Sequence, residues 1–593
     1  MRAEPTLVVG AGIGGLAAAL TLAAAGQPVT LLEAAAVPGG RMRTAAPGGQ
    51  AVDAGPTVMT LVRVFAALYE ALGERLEDHV TLEPLDILAR HAWADGSRLD
   101  LHADPHASRA AIEAFAGAAA GRGFDQFLRT ARRLQHGLGE HFMEAQRPSL
   151  LGFAARLGPW QAWRLRAGSP FRTLWQALGD YFPDPRLRQL FGRYATYVGS
   201  SPFEAPAVLM LIAQVEMAGV SGVRGGMTRL AHALAELAQR HGVEIHYNRS
   251  VREIEVRNGV ARGVICSDGT RFPAEAVIFN GDPNALELGL LGPGVRGATP
   301  ASRPRQASLS ALTHAWLARP SGFELAHHTV FFSDDYPREF EQIFRQNRMP
   351  DAPSVYLCAQ DRGLLTGHHP ASSATDGNER LFAIINAPAP GVDEAGRPRP
   401  GPTPAACQET RDAALQLLTR CGLQLAIEAE VQTTPGDFAD RFPGSGGAIY
   451  GAACHGWSAP FRRPGARTAV SGLYLAGGGV HPGPGVPMVA LSGLLAAEAL
   501  IFDYGHAALT PGKRRKPRST VPADKATTIV RPTVPEPVGE PLPESFAAGG
   551  RDGAVGLARS GMPPAQVVAT ERPADDRLPQ PQADLRPSRT DAS

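Results

Sequence analysis

Cysteine is scarce in this chain: 593 residues hold five, Cys266, Cys358, Cys407, Cys421 and Cys454, with no CxxC pair among them. That scatter excludes a disulfide framework, a thiolate zinc site and a redox dithiol, and it predicts a reducing, cytoplasmic setting without a metal centre. Cys454 adjoins His455, but neighbours on an extended chain point to opposite faces, so no nucleophilic pair is expected there. Net charge is scarce as well. The 58 basic residues stand against 57 acidic ones, which leaves no field of one sign to draw a nucleic acid, and none is expected as a partner. Long apolar runs are also few. Pro5 to Leu32 carries no charge, yet glycines break its first half, Pro28 breaks its second, and Arg2 is the single cation before it. This is neither an export signal nor a span, and no other run is expected to cross a membrane.

What the chain does have is a dinucleotide fingerprint. Leu7-Val8-Val9-Gly10-Ala11-Gly12-Ile13-Gly14-Gly15 reads as a strand, a Gly-rich turn and a helix start, and Val29-Thr30-Leu31-Leu32-Glu33 as the next strand with an acidic end. Gly10 permits the tight turn, Gly12 lets backbone approach a pyrophosphate, and Gly15 lets helix pack on strand, with Gly14 counted in the same cofactor-binding run. The helix N-terminus would face the diphosphate. Glu33 lies 18 positions after Gly15, near the spacing of an acid that binds a ribose hydroxyl, which favours FAD or NAD over NADP. Pro38-Gly39-Gly40-Arg41-Met42-Arg43 follows as a second phosphate-directed element. Gly40 allows close backbone approach there, and Arg41 or Arg43 offers a charge-assisted fork.

The length predicts two domains. Helix and strand material returns to the first unit twice, at Gly225-Gly226-Met227 through Ala276-Val277-Ile278-Phe279, and at Leu473-Tyr474-Leu475 leading to a helix from about Val489 to Ile501. The nucleotide domain is therefore drawn from residues 1–62, 223–290 and 438–505, and the second domain from 63–222 and 291–437. Between Arg147 and Phe182, Trp160, Trp163 and Trp175 alternate with Arg156, Arg164, Arg166 and Arg172, a composition that predicts an in-plane membrane element. Residues 510–593 are rich in Pro, Arg, Ala and Asp without apolar periodicity, and are expected to be disordered. Lys513-Arg514-Arg515-Lys516 at the root of this tail reads as a solvated charge run.

These motifs carry a family resemblance. Val9 to Ala18, Pro38-Gly39-Gly40-Arg41, Asp53-Ala54-Gly55-Pro56-Thr57, Gly225-Gly226-Met227, Gly477-Gly478 and Pro482-Gly483-Pro484-Gly485-Val486-Pro487-Met488 with Ser492-Gly493 are similar to those of the flavin-dependent carotenoid desaturases. That family, related to bacterial phytoene desaturase, sits in the amine-oxidase and GDP-dissociation-inhibitor superfamily. The resemblance spans residues 5–504. Within it, Val52 to Val58, Arg90 to Ser97 and Asn280-Gly281-Asp282-Pro283 look most like the 1-hydroxycarotenoid 3,4-desaturases (methoxyneurosporene dehydrogenases) of purple bacteria.

The resemblance implies an α/β fold with a Rossmann-like FAD-binding domain and an interleaved α+β substrate domain. It implies FAD held by Gly10, Gly12, Gly15 and Glu33, with Arg41 near the diphosphate and Val251 at adenine. Gly478, Val486, Pro487 and Met488 would lie by the ribityl chain and isoalloxazine, and Asp53, Gly55 and Thr57 would line the flavin end. It also implies a carotenoid substrate, oxygen or a quinone as electron acceptor, and peripheral attachment to the inner membrane. Removing two hydrogens from a carbon chain needs an electron sink that side chains lack, so the cofactor carries the chemistry. No catalytic residue is assigned; His455, His481 and Arg43 are candidates whose structural reading is stronger. Phytoene desaturase, a soluble amine oxidase and a non-catalytic lipid-escort protein of the same fold stay open as alternatives.

Overall fold

The first strand stops where its glycines begin, and the helix after it is apolar on nearly every side because other elements cover it. A computed structural model describes residues 4–149, 152–153, 171–299, 306–362, 377–393 and 395–508. In chain order, β1 (Thr6–Val9), α1 (Ile13–Ala24) and β2 (Val29–Leu32) come first, then a hairpin of β3 (Ile87–Ala92) and β4 (Arg98–His102), α2 (Ala118–Leu138) and α3 (Leu211–Met217). Next are α4 (Met227–Arg240), β5 (Glu244–His246) and β6 (Ala276–Phe279). Long strands β7 (Ser310–Ser321), β8 (His328–Phe331), β9 (Val355–Ala359) and β10 (Glu379–Ala387) lead to α5 (Pro404–Arg420) and β11 (Gln424–Thr433). The described chain closes with β12 (Leu473–Leu475) and α6 (Val486–Ala508).

Two sheets organise these elements. The first is parallel, in the order β12-β6-β1-β2-β5, with Thr6 beside Val29 and Ala276, and Val277 beside Leu473. Its strands come from three distant stretches of chain, and α1 packs against both α4 and α6. Gly14 and Gly493 make the last contact possible: a Cβ at Gly493 would collide with the Gly14 carbonyl. The second sheet has seven strands in the order β11-β7-β10-β9-β8-β3-β4, antiparallel except where β8 meets β3. Side chains alternate along β10. Leu381, Ala383 and Ile385 join Leu417 and Leu418 of α5 in one core, while Phe382, Ile384 and Asn386 face a cavity.

Several expectations change here. The last helix begins at Val486 and runs to Ala508, longer at both ends than the apolar pattern suggested. Over Val486–Gly505 it is long and apolar enough to cross a membrane, against expectation, yet most of it is buried in the fold against α1. Strand Val251–Arg257 leaves the parallel sheet and pairs with Val260–Cys266 in a separate antiparallel sheet. Trp175 is half-buried, its ring 4.7 Å from Phe203 and 6.2 Å from Tyr336, packed against the core that holds Leu174. Trp160, Trp163, Arg156, Arg164 and Arg166, and the 510–593 tail, lie outside the described residues.

Candidate active site

Strand order reverses at β1, and the carboxyl ends of β1 and β6 open a crevice there, the place where such sheets take nucleotides. Gly10 turns the chain out of β1 at φ +100°, its N–H donating to the Leu32 carbonyl at 2.7 Å. A Cβ at Gly15 would collide with the Gly10 carbonyl, and one at Gly14 would stand 2.6 Å from Asn280 Oδ1. Gly14 and Gly15 therefore serve packing and lie behind the wall, whereas Gly10, Gly12 and Gly40 line it. Glu33, 8% exposed, accepts the Ala11 N–H at 2.6 Å through Oε2 and the Ala35 N–H at 2.8 Å through Oε1. Each carboxylate oxygen keeps acceptor capacity beyond these bonds, and Glu33 lines the cavity with Val251.

Sequence reasoning missed Asn280. From the end of β6 its Nδ2 donates to the Gly10 carbonyl at 3.3 Å, and its side chain abuts Gly12, Gly14 and Gly477. The available signal was its place between an apolar strand and a Gly-Asp-Pro turn.

Arg41 meets the requirement for a diphosphate partner. Its guanidinium lies 4.8 Å from the Phe442 ring centre, and its Nε is buried in the wall without a hydrogen-bond partner. Burial pulls its pKa down while Asp282 and Tyr450 oppose the shift, and a guanidinium keeps its charge at neutral pH regardless. The N-cap of α1, Gly12, has no side chain to satisfy the first-turn N–H groups, and Gly12 and Ile13, where the helix begins, line the crevice. An unused buried cationic donor, helix N–H groups and glycine backbone together fit a dinucleotide diphosphate.

Further along the wall lie Gly55, Thr57, Gly478, Val486, Pro487 and Met488. A Cβ at Gly55 would collide with the Arg41 carbonyl. Thr57 Oγ1 stands 2.6 Å from the Tyr356 hydroxyl, itself 2.7 Å from His328 Nδ1. Arg463 holds two wall segments together, its Nη1 donating to the Tyr450 and Gly478 carbonyls at 3.1 Å each. Asp53 departs from the expectation. It lies outside the wall and caps α4, accepting the Met227 N–H and, at 2.8 Å, the Thr228 hydroxyl, while burial raises its pKa against these bonds.

The three acid–base candidates also lie outside the wall. His481 Nε2 donates to the Phe142 and Ala145 carbonyls at 2.8 and 3.1 Å, and burial holds its pKa down to about 4. His455 Nε2 accepts the Ser201 N–H at 3.0 Å, and Arg43 donates to Thr433 Oγ1 at 3.0 Å. Cys454 does line the cavity, but burial raises its thiol to about 11, which keeps it protonated and unreactive.

The cavity encloses about 1560 Å³, more than the roughly 300–1,000 Å³ of a site for one ordinary ligand. Beyond the nucleotide crevice it continues as an apolar arm past Leu138, Phe142, Phe153, Leu211, Ile212 and Phe461. Phe171 and Trp457, also in its lining, are 79% and 48% exposed and meet edge to face at 5.6 Å. The same lining holds a polar group, the buried Arg193 and Glu216 with the half-buried Tyr197. No sequence pattern pointed to it.

Comparison with known proteins agrees with this geometry. Residues 13–501 match the family model of flavin containing amine oxidoreductases. The chain is 46% identical over 504 residues to the hydroxyneurosporene desaturase of Rubrivivax gelatinosus, covering 84% of this chain and 94% of that protein. It is 47% identical over 500 residues to the hydroxyneurosporene desaturase of Cereibacter sphaeroides, covering 84% and 97%. Among solved structures, a putrescine oxidase bound to putrescine superposes with a TM-score of 0.53 at 15% identity, over 84% of this chain and 99% of that one.

Proposed function

Because the chain belongs to the flavin-containing amine oxidoreductases and, within them, to the carotenoid desaturases, we propose that it introduces the 3,4 double bond into 1-hydroxycarotenoids of the hydroxyneurosporene type. It is an FAD-dependent oxidoreductase acting on CH–CH groups in carotenoid biosynthesis. The observation that carries the finer reading is near-half identity to two hydroxyneurosporene desaturases over nearly their whole length. The apolar arm supports it, since a long polyene needs such a passage beside the cofactor.

FAD, when bound, supplies the electron sink for removing two hydrogens from a carbon–carbon single bond. The protein's part is holding, orienting and drying. Glu33 and Val251 receive the adenosine end, Gly12, Gly40 and Arg41 the diphosphate, and Gly55, Thr57, Gly478, Val486, Pro487 and Met488 the flavin end. Residues 1–62, 223–290 and 438–505 make up this cofactor domain, and 63–222 with 291–437 take the carotenoid, with Trp457 and Phe461 of the first domain completing the arm. The arm's aromatic and aliphatic walls exclude water around the reacting carbons. No side chain with a base suited to proton removal lies among the three candidates, and the conjugated polyene itself spreads the positive charge that loss of a hydride creates. The carotenoid enters from lipid at the Phe171–Trp457 mouth of a peripherally attached enzyme, and oxygen or a membrane quinone takes the electrons.

The test is anaerobic mixing of FAD-loaded protein with vesicles carrying either a 1-hydroxylated carotenoid or phytoene. Flavin bleaching with a red-shifted polyene only for the hydroxylated compound is expected. Turnover of phytoene instead moves the enzyme to an earlier desaturation, and no reaction with either overturns the reading.

A further inference from the structure

Arg193 opens the short helix Arg193–Val198, lines the cavity and is 8% exposed. Its Nη1 donates to the Tyr197 hydroxyl at 3.0 Å, but Nε and Nη2 have no hydrogen-bond partner. Nη2 stops 3.9 Å from Glu216 Oε1, too far for a hydrogen bond. Glu216, on α3, accepts the hydroxyls of Tyr194, at 2.5 Å, and Tyr197. The guanidinium lies over the Tyr194 and Tyr197 rings at 5.6 and 5.2 Å, and Leu209, Ile212, Val330 and Phe332 of the adjoining core line the same cavity. Unused N–H donors on a buried guanidinium cost free energy, more so in such surroundings. An ordinary core would close the gap.

The missing partner has a defined chemistry. It must accept from Arg193 and can donate to Glu216, which is what a hydroxyl does and what a second cation or a carboxylate cannot do. An oxygen set to one side of the 3.9 Å gap can stand about 2.8 Å from both ends. Its location also matters. Arg193, Tyr356, Thr57 and Gly55 line one cavity, Tyr356 bonds Thr57, and Gly55, two residues before Thr57, packs on the Arg41 backbone. The group therefore opens into the same cavity as the residues assigned to the flavin end. A hydroxyl on C1 lies two carbons from the 3,4 bond, so an enzyme oxidising that bond must receive the hydroxyl at this end.

We propose that Arg193 and Glu216 form the subsite for the substrate's tertiary hydroxyl, with Arg193 donating a hydrogen bond to its oxygen, Glu216 accepting a hydrogen bond from its O–H, and Tyr197 holding both side chains in position. This rests on the proposed substrate class. A carotenoid without the hydroxyl would leave the same donors unpaired, and sites built around a substrate hydroxyl reject the analogue that lacks it by large factors. The group thus selects substrate and acts as a binding rather than a proton-transferring element.

The experiment compares kcat/KM for a 1-hydroxylated carotenoid and an unhydroxylated one of equal conjugation, in the same vesicles, with carotenoid binding followed separately by the shift in polyene absorption. Wild-type enzyme should favour the hydroxylated compound by on the order of 100-fold or more. In Arg193→Gln and Tyr197→Phe that ratio should drop at least about tenfold, through loss on the hydroxylated substrate alone, with Arg193→Lys between. FAD-loaded variants that slow both substrates equally, or that leave the ratio within about twofold of wild type, would overturn the subsite and make the cluster structural or water-filled. Should Arg193→Gln fail to load FAD, Tyr197→Phe decides by the same ratio. Wild-type enzyme that prefers the unhydroxylated compound would instead overturn the substrate class, an outcome separate from any variant.

Discussion

The Glu33 carboxylate accepts the Ala11 N–H at 2.6 Å, tying the end of β2 to the middle of the glycine loop. Its other oxygen takes the Ala35 N–H at 2.8 Å. One side chain thus holds the loop in shape and offers acceptors to a ribose.

Glu33→Ala should therefore weaken FAD binding in two ways, by loosening the loop and by removing an acceptor. Hydrogen bonds to a charged group contribute about 1.5–3 kcal/mol each, so a loss of roughly 10–100-fold in affinity is expected. Titrating apoprotein with FAD by flavin fluorescence reads it directly. An unchanged Kd would remove Glu33 from the ribose site.

Two glycines of α6 should respond in opposite senses. Gly493→Ala places a methyl against the Gly14 carbonyl, which should cost about 1–3 kcal/mol by overpacking. It should also lower FAD content, because Val486, Pro487 and Met488 begin the same helix. Gly505 has no atom within 4 Å of an added Cβ, so Gly505→Ala should be neutral or stabilising by up to about 1 kcal/mol. Thermal melts of both variants give the comparison, and equal losses would contradict the α1–α6 contact.

The glycine fingerprint, Glu33 and the strands of the parallel sheet were legible in the sequence because their requirements are local. A tight turn, a close approach and an acid at a set spacing each leave a mark within thirty residues. What was illegible lies far apart in the chain. Asp53 resembled a flavin contact, and nothing local indicates that its carboxylate caps a helix at Met227. Asn280 clamps Gly10 from 270 positions away. Trp175 stood in an interfacial composition, and nothing local shows that its ring packs on Phe203 and Tyr336. Arg193 and Glu216 come from different helices, with no pattern linking them.

His481 should make the enzyme acid-sensitive. In the folded protein burial holds its pKa near 4, below the usual 6.5, and its neutral ring joins the Pro482–Met488 wall to Phe142 and Ala145. The unfolded chain therefore binds a proton that the folded chain refuses. Stability should fall as pH drops from about 6.5 to about 4 and level off below that, by at most about 3 kcal/mol from this group. Denaturant melts of wild type and His481→Gln across pH 4–7 isolate the contribution. Parallel curves for the two proteins would rule it out.

Phe171 and Trp457 should determine delivery rather than chemistry. Large aromatic side chains 79% and 48% exposed at a cavity lining are costly in water and favourable at a lipid interface. Burying side chains of this size contributes about 1.5–3 kcal/mol each. Replacing both with Ser should thus lower vesicle binding by at least about tenfold, and turnover of carotenoid held in vesicles should fall with it. The same variant should turn over detergent-dispersed carotenoid at the wild-type rate, since neither residue belongs to the cofactor wall. Cosedimentation with vesicles and the two activity assays separate these outcomes. Equal losses in vesicles and detergent would mean the aromatic pair shapes the channel, and undiminished vesicle binding would move the membrane-facing surface elsewhere on the molecule.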